Sequence, residues 1–151
     1  MTSTTPAASD NRRAVVRIMA YEIMRISSSM AKVHGGDIIE YLVFTAIWVL
    51  NTNHLIGDPR YSELKSIPPD PLRKPATMDD LRRTVPMPDD ILRTYVDRLL
   101  ARGYVEERPG GFVAPTAVFA QPEMLNGSNE LYSHVMTMVR SMRTAGFAFG
   151  D

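Results

Sequence analysis

Guanidinium, hydroxyl and carboxylate groups crowd the stretch from Thr77 to Pro115: Thr77, Arg82, Asp89, Arg93, Thr94, Asp97, Arg98 and Arg108, with Gly110 and Gly111 behind them. Such groups hydrogen-bond and pair charges, which is the chemistry of recognition rather than of bond-making. Catalytic patterns are missing elsewhere as well: His34, His54 and His134 are scattered, and neither a glycine-rich phosphate loop nor His-Glu-x-x-His occurs. His34-Gly35-Gly36-Asp37 has the residue types of a metal or acid–base site, yet no partner histidine or carboxylate lies at ligand spacing. Its glycines read as a helix end in positive φ, and Asp37 as the cap of the next helix, with Glu40 completing a capping box. No enzyme, metal or cofactor is expected.

The elements that must carry these side chains follow from local signals. Thr77 can cap a short helix, with Asp80 reaching back three residues; Leu81 is its apolar contact, and Val85-Pro86-Met87-Pro88 ends it. Pro88 suits the first position of a second helix, where Asp89 and Asp90 favour the positive end of the dipole. Ile91, Leu92, Tyr95, Val96, Leu99 and Leu100 recur at three and four, which predicts one buried face and leaves Asp89, Arg93, Thr94, Asp97, Arg98 and Ala101 towards water. Gly103 stops that helix. Tyr104-Val105 and Phe112-Val113 then flank Glu106 to Gly111 as strand, tight turn, strand. Helix, short turn, longer helix and hairpin is the order of a winged helix-turn-helix.

Residues Leu92 to Pro115, with Leu99, Gly103, Tyr104-Val105, Arg108-Pro109-Gly110-Gly111 and Phe112-Val113, resemble the recognition helix and wing of bacterial winged-helix transcriptional regulators of the GntR and MarR types. The resemblance covers about a quarter of the chain. It implies that the helix over 88–102 enters the major groove of double-stranded DNA while the wing over 105–115 touches the backbone or minor groove. It carries base-edge or phosphate contacts to Arg93 and Thr94, and the wing contact to Arg108. The chain departs from these families in placing Asp89 and Asp90 where Ser, Thr or Arg often stands, and in a wing tip without Lys or Arg. With Glu106 and Glu107 close by, and eight basic against seven acidic residues from Leu72 to Arg108, the alternative is a winged helix that contacts protein and not DNA.

Length and composition frame the rest. The chain of 151 residues suits one domain, and its 17 basic and 17 acidic residues cancel, so attraction to nucleic acid must come from a local patch. Cysteine is absent, which excludes disulfides and thiolate metal sites. No apolar run approaches about eighteen residues, and Met1 to Asp10 lacks the apolar core of a signal peptide, so the expectation is a cytoplasmic protein without a membrane partner.

Residues 1–9 are expected to be a disordered tail. An N-terminal helix follows over 10–34, with Met19, Ile23, Ile26, Met30 and Val33 spaced four, three, four, three, and Arg12, Arg13 and Arg17 as a solvated face. The winged helix-turn-helix would occupy 37–116. Its first helix, Ile38 to Asn53, is apolar nearly all round; Trp48 reads as core, and Asn51, Asn53 and His54 as a frayed end. The proline-rich stretch 57–76 reads as an insertion, either a surface loop or a basic arm of Arg60, Lys65, Arg73 and Lys74, with a helical turn over Tyr61 to Ser66. Over 117–151, a connector with a turn at Asn126-Gly127 leads to a last helix capped by Ser128, whose Leu131, Val135, Met138, Met142 and Ala145 repeat the seam of the first.

The fold class expected is therefore mainly α with a small β-hairpin: a winged helix-turn-helix core bracketed by N- and C-terminal dimerisation helices. A homodimer through those helices would set two recognition helices about one DNA turn apart, on a roughly palindromic site. Six of the ten methionines fall in the two terminal helices, so an apolar effector in a Met-lined groove is a further alternative to an ordinary soft core.

Overall fold

A computed structural model describes residues 10–150, so the tail expected over 1–9 lies outside the described residues. Its centre is helix α2 (Ile38–Thr52). Asp37 caps it by accepting from the amides of Ile39 (3.0 Å) and Glu40 (3.1 Å). Val43, Phe44, Ala46 and Ile47 are buried, because α3 (Met78–Thr84) and α4 (Asp89–Ala101) pack on one side and α1 (Arg12–Ala31) on another. Leu81, Leu92, Val96, Leu99 and Val105 complete that core. Each such side chain contributes roughly 1.5–3 kcal/mol by leaving water.

Between Thr77 and Gly103 the two expected helices form, with the expected cap on the first. Thr77 Oγ1 accepts from the Asp80 amide (3.1 Å) while Asp80 Oδ2 accepts from the Thr77 amide (3.0 Å), a complete capping box. Pro88 is the residue just before α4 rather than its first, and Ile91, expected on the buried face, is 39% exposed at its edge. Gly103 closes α4 at φ +74°, with its amide on the Leu100 carbonyl and that of Tyr104 on Leu99.

The hairpin is β1 (Glu106–Arg108) and β2 (Gly111–Val113), antiparallel, with Glu106 opposite Val113 and Arg108 opposite Gly111. Glu106, Glu107 and Arg108 were expected in the turn but are paired strand, because Pro109-Gly110 alone reverses the chain. On the other edge of β2, Ala76 and Phe112 exchange two amide–carbonyl bonds of 2.8 and 2.9 Å. A Cβ at Gly111 (φ +140°) would overlap the Ala76 carbonyl, so this close approach requires glycine.

Four expectations are corrected. Asn51 is no frayed end: it is fully buried, donating Nδ2 to the carbonyls of Lys74 (2.6 Å) and Phe112 (3.0 Å) and accepting at Oδ1 from the Ala114 amide (2.9 Å). Glu40 does not complete a capping box but is buried against His34. The 57–76 stretch is anchored rather than loose, through Asn51 and through Asp70, whose carboxylate accepts from the Thr116 amide (2.8 Å); its helical turns are Pro59–Tyr61 and Asp70–Leu72, not Tyr61 to Ser66. Finally, α5 (Thr116–Phe119) and α6 (Pro122–Thr144) replace most of the connector. Ser128 caps nothing, and Asn126-Gly127 lies inside α6, where the missing Cβ lets Val33 approach.

α1 and α6 lie along each other, with Ser29 Oγ donating to Glu130 Oε2 (2.9 Å). Met30 and Met142 of the two seams are buried, whereas Met19, Ile23 and Val135 stay exposed beside Val16, Tyr21, Met24, Tyr132 and Met136. Six helices and a two-stranded hairpin make the described residues mainly α, as expected.

Candidate nucleic-acid interface

The outward side of α4 presents Asp89, Arg93, Thr94, Asp97 and Arg98, all exposed. Helix propensity and the Leu92, Val96, Leu99 stripe fix this orientation, since burying the stripe turns the polar positions outward. Around them the chain pairs nearly every charge. Arg82 of α3 spans the interhelical turn to Asp89 (3.0 Å) and also bonds Asp79; Arg83 reaches Asp80 (2.7 Å). Arg93 Nε lies 3.3 Å from Asp97 one turn on. Thr94 Oγ1 donates to the Asp90 carbonyl of its own helix (2.8 Å). Exposed pairs of this kind are worth about 0.2–1 kcal/mol, so a phosphate can displace the carboxylate.

Arg98 leans away from this group. Its Nη1 is 3.3 Å from Asp37 Oδ2, its guanidinium lies over the Tyr95 ring, and Tyr95 donates its hydroxyl to the same carboxylate oxygen (2.9 Å). Partial burial works to raise the Asp37 pKa, but the Glu40 amide, the Tyr95 hydroxyl, the Ile39 amide and Arg98 outweigh it and hold the carboxyl below its ordinary range. The same hydrogen bond pushes the Tyr95 hydroxyl up. In Arg82 the bond to Asp89 holds the guanidinium above its usual value.

The remaining predicted residues sit apart from the α4 face. Thr77 is committed to the capping box. Arg108, on the hairpin, pairs with Glu106 (2.7 Å) and lies 3.7 Å from Asp70. Gly110 and Gly111 serve the backbone, at φ +96° and +140°, against Pro75 and Ala76. Arg73 leaves the proposed basic arm altogether: it is buried, with Nε donating to Thr116 Oγ1 (3.1 Å). Arg60 is held by Asp58 (2.7 Å).

Sequence reasoning missed one buried polar cluster. His34 Nδ1 is 3.0 Å from Glu40 Oε1, and Arg102, the residue just past the end of α4, bonds the same oxygen while lying over Tyr104. It ties the start of α2 to the end of α4. The only sequence signal was negative: Glu40 sits where a capping-box partner would, and nothing nearby says it turns inward.

Among the described residues no group of three His, Cys, Asp or Glu could hold a metal ion, and no single helix is long and apolar enough to cross a membrane. Comparison with protein-family models, curated proteins and solved structures gives no significant match.

Proposed function

We propose that this chain is a homodimeric, sequence-specific double-stranded DNA-binding transcriptional regulator built on a winged helix-turn-helix. The observation that carries the reading is the uncovered polar side of α4, with Arg93, Thr94 and Arg98 exposed and Arg82 beside them. The element order supports it: α2, the Ala76 bridge, α3, α4, then β1 and β2, with Ala76 and β1 on opposite edges of β2. In this reading α4 lies in the major groove, Arg93 and Thr94 reach base edges or phosphates, and Arg108 touches the backbone beside the groove.

A second reading rests on the ion pairs. Arg82, Arg93, Arg98 and Arg108 each face a carboxylate of the same chain, so the surface is close to neutral and suits contact with another protein. Titrating full-length protein into mixed-sequence duplex DNA at rising salt separates the two. The DNA reader binds at low salt and weakens steeply as counterions compete; absence of binding at low salt leaves the protein-contact reading. Arg93→Ala should then lose on the order of 1–3 kcal/mol of affinity for a selected site. An unchanged affinity removes Arg93 from the interface.

A further inference from the structure

Between α2, the 57–76 stretch, α5 and α6 lies a cavity of about 360 Å³. Small-molecule sites span roughly 300–1,000 Å³, and at about 30 Å³ per water-sized group this one takes roughly a dozen non-hydrogen atoms. Its walls are mainly apolar, with the rings of Phe44, Trp48 and Phe119 and the side chain of Leu131. It contains Met30 and Met124, but aromatic rings rather than methionines dominate it.

One wall carries a charge that the chain does not neutralise by contact. Arg73 is only 6% exposed, and among the described residues its side chain makes one hydrogen bond, from Nε to Thr116 Oγ1. Its guanidinium rests on the Phe119 ring, 4.7 Å from the centroid. Asp70 is near enough to act on it electrostatically, yet forms no ion pair with it and is committed to the Thr116 amide. Beside the same cavity, Thr45 Oγ1 is buried without a partner. Burying a guanidinium is costly unless an anion faces it, and the fork of two parallel N–H donors left over matches a carboxylate.

We propose that this cavity binds a small monocarboxylic acid with an apolar body, its carboxylate against Arg73 and its body against Phe44, Trp48 and Phe119. A phosphate suits the site less well: one guanidinium faces the ligand, which matches one negative charge rather than two, and the lining is mainly apolar. The proposal stands whether or not α4 reads DNA, and it gives the 57–76 stretch a role as one wall of a binding site.

Calorimetric titration of the full chain with octanoate and 4-phenylbutanoate, each beside its primary amide, tests it. The acids bind one to one and the amides at least about tenfold more weakly, since only the acid completes a charge-assisted pair. Arg73→Gln brings the acids down to the amides. Should that variant fail to fold, the acid–amide comparison on the unaltered chain decides, together with Ser128→Phe, which places a ring at the cavity rim from the exposed side of α6 and abolishes acid binding. Equal affinities for acid and amide, no saturable binding up to on the order of 1 mM, or undiminished acid binding by Ser128→Phe would each overturn the proposal.

Discussion

Asn51 holds three backbone groups from two distant segments, Lys74, Phe112 and Ala114, and is fully enclosed in the helical core. Replacing it by Leu keeps the volume but strips the Lys74 carbonyl and the Ala114 amide of this partner, each worth about 1–3 kcal/mol, while the Phe112 carbonyl keeps the Ala76 amide. Asn51→Leu is therefore expected to lower unfolding free energy by about 2 kcal/mol or more, read from the shift of a urea midpoint; a loss below about 1 kcal/mol would mean water or rearranged backbone replaces the amide. Residues with near partners were legible in the sequence, and those with far ones were not. Thr77 and Asp80 cap each other over three positions and were read correctly. Asn51 bonds across 23, 61 and 63 positions, and Glu40 across 62 to Arg102, so each looked like an ordinary helix terminus. The exposed α4 side chains were readable from periodicity, but their partners, Arg82 on α3 and Asp37 before α2, were not. The same limit hid Arg73, which composition places in either a surface loop or a basic arm.

At the scale of elements, the hairpin and the short helices depend on a few backbone conditions. Gly103 and Gly111 both hold positive φ, yet only Gly111 faces a backbone atom at the position of an added Cβ. Gly103→Ala should cost about 1 kcal/mol from strain alone. Gly111→Ala must in addition separate β2 from Ala76, so its loss is expected to exceed that of Gly103→Ala clearly, with amide exchange at Ala76 and Phe112 accelerated. Equal losses would show that the bridge yields at no cost. The first turn of α3 makes a pH prediction. The Thr77 amide, then the Thr77 hydroxyl, hold the Asp80 carboxyl below its ordinary value of 3.8. The unfolded chain therefore binds the proton first as pH falls, so the stabilisation is present above about pH 4 and is lost as pH drops through the lower folded value. Asp37 and Asp70 shift in the same direction. Asp80→Asn should flatten part of the acid limb of a melting-temperature profile between pH 6 and 2; an identical limb would place the titration elsewhere. Element order was readable here because α2 and α3 carry their own caps and α4 its own period. Element ends were not: the start of α6 is set by Pro122 and by packing of Gly127 on Val33, which outweigh the turn signal of Asn126-Gly127.

At the scale of the whole molecule, α1 and α6 leave large apolar side chains exposed. Met24 is 68% exposed on α1, Tyr21 and Ile23 of α1 and Tyr132 of α6 are exposed as well, and large apolar patches mark contact surfaces. In the proposed homodimer that face meets its symmetry mate, so sedimentation should give twice the mass of one chain and Met24→Glu should return it to one. A single-chain mass for the unaltered protein at micromolar concentration would remove the dimer from the proposal. The two helices meet at their far ends as well, where Asn11 Nδ2 donates to the Ala145 carbonyl (3.4 Å). That seam brings sequence-remote residues within one hydrogen bond, so a short glycine-rich tether could join Asp10 to Gly150 with the break moved to the exposed stretch at Ser62-Glu63. A cargo joined at Asp10 or at Gly150 would hang from the same pole, on the α1–α6 seam.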